Sequence, residues 1–351
     1  MRKLLPALLG LPAAFAAGFI ILAAQGYDAP LSFTSLFHYS VFSRFAFFGT
    51  LARSVPLILT GLSAAAAFSS GCVNLGQPGQ LILGALAAAA LGLAVDLPAL
   101  LMIPLLLLAA MAAGGLWAFI AGWFRHRFAM DEFISTLMLN FAADYFALYL
   151  ISGPLLDRDM FSPMTKAIHS GGFLPLPGGF PTAVAVVLLV FCLVWIFFHR
   201  TKTGYELKIM GTSRLFARTG GCRTDADFLT VIIISGALAG LAGGLLIMGG
   251  QQHRFLKGLG ANYAWDGVMI AIVADNGLTA VLLYGLFFAM LQTGSMGMEM
   301  ETAVPSEFVL VFQAIIVLFA AASRKSFGVI MNWITVRRKA GKTARGEAHD
   351  T

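Results

Sequence analysis

Five polar side chains stand where an apolar helix would not place them, and each could bind a small solute or satisfy broken backbone. Asn74, Gln77 and Gln80 belong to Gly71-Cys72-Val73-Asn74-Leu75-Gly76-Gln77-Pro78-Gly79-Gln80, a cluster of glycine, proline and amides between two apolar runs. Irregular backbone at membrane depth is tolerated only where it faces protein or a watery cavity. Two readings stand side by side: the amides contact a solute, or they close a tight re-entrant turn by bonding freed backbone groups. Asn140 and Asp144 lie one turn apart on one face of a third apolar run. A charged group at that depth is costly and is expected on a pore, with pairing to a neighbouring helix or protonation as the competing account. Asp266 and Asp275 fall nearer to span ends and are weaker candidates, and Arg53 is placed to snorkel to an interface.

Other chemistries find little support. Six histidines and three cysteines (Cys72, Cys192, Cys222) show no CxxC or HxxxH spacing, so neither a metal site nor a disulfide framework is expected. Gly341-Lys342-Thr343 lacks the glycine that a phosphate-cradling loop needs, because Val336 occupies its place. No catalytic residue or bound cofactor is expected in this chain.

The elements that must position these residues are membrane helices. The chain has 351 residues, of which 59% are hydrophobic and only 11% charged; with a mean hydropathy of +0.84, that composition excludes an ordinary soluble protein and a nucleic-acid binder. A span needs roughly 20 mostly apolar residues at helical rise. Ten candidates lie near 4–24, 46–68, 79–95, 98–124, 132–153, 180–199, 225–248, 262–275, 278–298 and 305–323. The fold class is therefore all-α and polytopic, with a broken helix at 71–80. Of 23 Lys and Arg, 17 fall in four segments, at residues 2–3, 125–127, 200–223 and from Arg324 onward. Basic loops mark the cytoplasm, and ten crossings from an internal N-terminus put all four segments there, with both termini inside. The first span resembles a signal peptide in its basic start, but Pro6, Pro12 and the lack of a clean cleavage site favour an uncleaved helix. Residues 1–325 form the membrane domain, 154–179 an external loop rich in proline and glycine, and 326–351 a basic cytoplasmic tail.

Two further segments stand out. Residues 200–223 are too long for a connection and too polar for a span. Leu207, Met210, Leu215 and Ala217 can form an apolar face flanked by Lys208, Arg214 and Arg218, and glycines at 204, 211, 220 and 221 bracket two short helical pieces. Such an element docks into a partner or lies on headgroups. Gly236, Gly240 and Gly244 repeat every four residues inside an apolar span, a stripe that admits close helix approach within the chain or across a dimer.

These stretches resemble the permease subunits of bacterial ATP-binding-cassette importers, in the branch that handles nucleosides and simple sugars. The resemblance rests on Asn74-Leu-Gly-Gln-Pro-Gly-Gln80, on Glu132-Phe-Ile-Ser-Thr-Leu-Met-Leu-Asn140 with Ser152-Gly-Pro154, and on Thr203-Gly-Tyr-Glu-Leu-Lys-Ile-Met-Gly211 followed by Ala217-Arg218 and Gly220. It covers roughly residues 50–325. Pro78 and Asp144 depart from the family's pattern. The resemblance implies a type II importer-like fold in the bacterial inner membrane, and a second permease, itself or a paralogue. It also implies ATPase subunits that use ATP and magnesium, and an extracytoplasmic binding protein that delivers a nucleoside, a simple sugar or riboflavin. It casts Gly204, Tyr205, Glu206, Leu207, Gly211, Arg214, Ala217, Arg218 and Gly220 as the coupling element. Asn74, Gln77, Gln80, Asn140 and Asp144 become the solute pathway. The rival class is an ion-coupled secondary transporter with Asp144 as its ion site, and a third is a channel-like or structural membrane protein.

Overall fold

Backbone amides in hydrocarbon have no water to bond, so the apolar runs close their hydrogen bonds internally as helices. A computed structural model describes residues 5–319. Their elements in order are α1 (Leu5–Ala24), α2 (Ala29–Phe37), a π-helical turn (His38–Phe42), α3 (Arg44–Ser69), α4 (Gln77–Ala94), α5 (Ala99–Phe128), α6 (Glu132–Ser152), α7 (Ala183–Arg200), α8 (Lys202–Thr212), α9 (Arg214–Thr219), α10 (Thr224–Gly249), α11 (Ala261–Val273), α12 (Leu278–Thr302) and α13 (Phe308–Phe319). The one isolated β-bridge among the described residues joins Met164 to Leu256. The basic tail, Gly341-Lys342-Thr343, Arg2 and Lys3 lie outside the described residues.

Seven of these helices, α3, α4, α5, α6, α7, α10 and α12, are long and apolar enough to cross a membrane. The expected span at 262–275 is different. Its helix α11 has 13 residues, about 20 Å at helical rise against a hydrocarbon core of about 30 Å. Asp275 and Asn276 follow it at φ of 52° and 55°, a left-handed pair beyond its C-terminal end.

Two compact units make up the chain. The first holds residues 37–294 and is built around α10, which packs most extensively against α5 and α4. Small residues permit this. A Cβ at Gly240 would lie 2.9 Å from Gly114 Cα, and one at Gly243 would lie 2.8 Å from the Ala85 nitrogen. The stripe Gly236, Gly240 and Gly244 thus packs inside this chain, its three members against Gly114 and Ala118, against Ala110, Gly114 and Gly84, and against Ala110 in turn. Helix α3 is tied to α11 by Thr60, whose hydroxyl lies 2.7 Å from the Pro56 carbonyl one turn back and 2.9 Å from that of Tyr263 in α11.

In the same unit the long loop after α6 is stitched to the chain around 248–257. Thr165 N donates to Phe255 O at 2.9 Å, Ile168 N to His253 O at 2.9 Å and Leu174 N to Met248 O at 3.0 Å. Asp157 pairs with Arg254 at 3.5 Å. Those bonds satisfy backbone that no helix serves. The second unit holds the described residues of 1–36 and 295–319 and packs on phenylalanines: Phe15 meets Phe312 at 4.9 Å between ring centroids, and Phe33 meets Phe312 at 5.8 Å. There the Ser35 hydroxyl also bonds the Glu301 carboxylate.

Candidate functional site: a broken helix joined to a docking element

Between α3 and α4 the helix stops for seven residues, 70–76. Gly71, at φ +70°, turns the chain, and a Cβ on it would meet Gly211 Cα of α8 at 3.1 Å. Pro78 falls in the first turn of α4, where its missing N–H costs nothing. The freed backbone groups are then satisfied by side chains from three helices. Asn74 and Gln80 exchange two amide bonds of 3.0 Å each. Asn74 also donates to Ser235 Oγ at 2.8 Å and accepts from Gly76 N at 2.9 Å. Asn140 of α6 donates to Leu75 O at 2.8 Å and accepts from Gly79 N at 2.9 Å, while Leu75 N donates to Thr136 Oγ1 at 3.3 Å. Ser63 Oγ and Ser235 Oγ, 3.0 Å apart, bind α3 to α10 beneath the turn.

That geometry separates the five pathway residues. Asn74 and Gln80 are 0% and 1% exposed and engaged with each other, so their amides hold the turn and do not face an open route in this conformation. Asn140 likewise clamps the broken backbone. Gln77 is fully buried, and neither its Oε1 nor its Nε2 has a partner among the described residues. Asp144 is half-buried on α6, with no hydrogen-bond or ion-pair partner among the described residues. Asn140 is exposed to a similar degree, but its amide is taken up by the broken backbone, so of the five Asp144 is the partly exposed group left to face a solute. Asp266, read from sequence as near a span end, is 4% exposed and accepts a 2.7 Å bond from Gln292 Nε2 of α12. A buried carboxylate with an amide partner is a tie between helices.

The segment 200–223 folds as α8 and α9. Thr201 caps α8 by accepting from Gly204 N at 3.1 Å, and Ser213 caps α9 by accepting from Phe216 N at 3.3 Å. Gly204 and Gly211 seat α8 on backbone: a Cβ on the first would lie 2.7 Å from Phe198 Cα at the end of α7, and one on the second 3.0 Å from the Ser70 carbonyl carbon after α3. Leu207, Met210 and Ala217 are buried as expected of an apolar face, but Leu215 is 75% exposed. The Ser213 break restarts the helical phase and turns Leu215 outward. Tyr205 and Phe216 are each 66% exposed, so three large apolar side chains of α8 and α9 face outward. Glu206 pairs with Lys202 at 3.6 Å and Arg214 with Asp225 at 3.0 Å. Arg218 and Gly220 lie on the exposed side.

Beside α9 opens a cleft of about 420 Å³ lined by charged residues of the α5–α6 turn, α9 and α10, among them Arg125, Asp131, Glu132, Arg214 and Asp225. Phe228 sits in its wall, 3% exposed. Sequence reading took Arg125 as a topology marker and passed over Phe228, because nothing in the local pattern shows that α5 and α10 meet there. Cys72, in the broken turn, is buried, so a reagent in solution cannot reach its thiol in the folded chain. At pH 8 a maleimide is therefore expected to label Cys222, which is partly exposed, while Cys72 stays unlabelled until the protein is denatured; mass spectrometry of the labelled chain reads this directly.

A family model described as branched-chain amino acid transport system / permease component matches residues 46–321. The guanosine ABC transporter permease protein NupP of Bacillus subtilis is 33% identical over 332 residues, covering 92% of this chain and 94% of that protein. The glucose ABC transporter permease protein TsgB13 of Haloferax volcanii is 32% identical, covering 89% and 85%, and the nucleoside ABC transporter permease protein NupB of Lactococcus lactis subsp. cremoris is 30% identical, covering 91% and 91%.

Proposed function

The chain belongs to the family described as the permease component of the branched-chain amino acid transport system, and from that premise we propose that it is the membrane half of an ATP-driven importer of a nucleoside-like solute. The observation that carries the coupling role is the exposed surface of Tyr205, Leu215 and Phe216 on an element rooted by Gly204 and Gly211 in the ends of α7 and α3. Exposed aromatic residues on a rigid base are what a partner's groove binds. The partner is a cytoplasmic ATPase, which uses ATP and magnesium; this chain holds neither. A second permease copy or paralogue completes the translocation unit, and an extracytoplasmic binding protein supplies the solute. The α8–α9 element faces the cytoplasm, and the loop at 154–179 faces outward.

ATP binding draws the two ATPases together and moves α8 and α9 with them. Since α8 rests on backbone of α3 and α7 without intervening flexible side chains, its motion passes to those helices, and the permease pair switches between outward and inward access. Asp144 lines the route, because a half-exposed, unpaired carboxylate on a membrane helix needs water. Asn74, Gln80 and Asn140 keep the broken helix in register beside it. Guanosine and other nucleosides are the favoured solutes, as in the names of two of the three relatives; sugars are the second class, as in the name of the third. An ion-coupled transporter would use Asp144 as its ion site and would have no use for an exposed docking surface.

The test is direct. Replacing Tyr205 and Phe216 together by alanine should reduce the ATPase recovered with the purified permease by about a hundredfold in affinity, since interface aromatics cost roughly 1–4 kcal/mol each on truncation. Permease levels in the membrane should stay normal. Full recovery of ATPase on the double variant would refute the docking assignment.

A further inference from the structure

Four charged side chains and one ring form a continuous line through the cleft beside α9. Arg214, at the start of α9, holds Asp225 at 3.0 Å and lies over the Phe228 ring at 5.8 Å. Arg125, near the end of α5, lies over the same ring at 4.5 Å and pairs with Glu132, the first residue of α6. Phe228 thus meets two guanidinium groups from different elements. Guanidinium over an aromatic face is attractive, and each of the two is balanced by its own carboxylate. One turn beyond Glu132, Thr136 accepts from Leu75 N, and one turn further Asn140 holds Leu75 O and Gly79 N.

Arg125 and Glu132 are partly buried, with side chains 25% and 15% exposed. That distinguishes them from solvated surface pairs, which are worth little. The line also joins two parts of the chain far apart in sequence: Arg214 and Phe228 belong to α9 and the start of α10, and Arg125 and Glu132 flank the α5–α6 turn. A rotation of α9 that withdrew Arg214 would leave Arg125 as the only cation on the ring and would change what holds Glu132.

We propose that the Arg214–Phe228–Arg125–Glu132 line is a second transmission route, carrying motion of the docking element to the broken helix through α6. It acts alongside the seating of α8 on α3 and α7. These four are positioning residues: none touches the solute or ATP. The proposal rests on the importer reading above.

The experiment uses the complete complex of permease, ATPase and binding protein in proteoliposomes, with labelled guanosine as probe, and reads solute moved per ATP hydrolysed. Phe228→Leu, which keeps apolar bulk and loses the ring, should lower that ratio about tenfold, within the range typical of coupling between sites. Phe228→Tyr, which keeps the ring, should restore it. A structural filler would not distinguish leucine from tyrosine in this ratio while assembled complex stays constant. Glu132→Gln, at the far end of the line, should lower the ratio similarly. The double variant should fall no further than the lower single, because both break one line. An unchanged ratio in Phe228→Leu, or a double variant whose loss is the product of the singles, would overturn the proposal. Absence of ATP-driven guanosine uptake in the unmodified complex would instead count against the importer reading.

Discussion

Gly240→Val is expected to abolish accumulation of the chain in the membrane. Gly240 lies between two backbones: α5 on one side, where a Cβ would fall 2.9 Å from Gly114 Cα and overlap the Ala110 carbonyl, and α4 on the other, where Gly84 meets Gly240 itself. Neither neighbour is a side chain that can swing away, so valine must push helices apart. Separating α10 from α5 and α4 would forfeit the closest packing in the larger unit, at a cost on the order of 4–5 kcal/mol, the upper range for single substitutions. Few proteins have stability to spare on that scale. Gly249→Ala is the control on the same helix. A Cβ there meets Leu174 Cδ1 at 3.7 Å and Ala183 Cβ at 3.9 Å, ordinary contact distances, and normal accumulation is expected. Immunoblotting of membrane fractions separates the two, and normal levels of Gly240→Val would show that α10 does not pack as described.

Asn74→Ala should have the next largest effect, and of a different kind. The side chain makes two bonds with Gln80, one with Ser235 and one with the Gly76 backbone, all to buried partners. Alanine leaves the Gln80 amide and the Gly76 N–H unpaired in an environment without water. Each unsatisfied buried group costs about 1–3 kcal/mol, so the loss is roughly 3–5 kcal/mol. Since the bonds hold the helix break and little else, the helices around it should still insert. The expected result is a chain present in the membrane at reduced level, with a lowered thermal midpoint in detergent and no measurable transport. Ser235→Ala removes one Asn74 partner and should cost about 1 kcal/mol, with transport retained. Full transport by Asn74→Ala would mean that the turn does not depend on this network.

The sequence carries the helices plainly because hydrocarbon thickness sets one length scale and charge-poor runs reveal it. Gly71 and Pro78 mark the break, and Gly204 and Gly211 mark the close seating of α8, since both are backbone requirements written locally. Partners distant in the chain are a different matter. Asn74 is visibly an odd residue in an apolar context, yet that its amide is consumed by Gln80 and Ser235 depends on α10 arriving beside it. Its assignment to an open solute route therefore gave way to a structural role. Leu215 was read on one apolar face with Leu207, Met210 and Ala217, and it parts from them because Ser213, a helix cap, resets the phase between α8 and α9. Arg125 and Phe228 each have an ordinary local explanation, a basic loop and an apolar helix, and only their meeting through tertiary packing gives them a joint role. The apolar run at 262–275 was legible in the sequence, and so was its shortness: the helix that forms there has 13 residues, too few to cross a hydrocarbon core alone.

The central claim is tested most directly by uptake of labelled guanosine into proteoliposomes holding this chain with its ATPase and binding protein, measured with ATP, without ATP and with an imposed proton or sodium gradient alone. The account predicts uptake that requires ATP and the ATPase and ignores the gradient. Uptake driven by the gradient in the absence of ATPase would contradict it and make Asp144 the coupling site of a self-contained transporter.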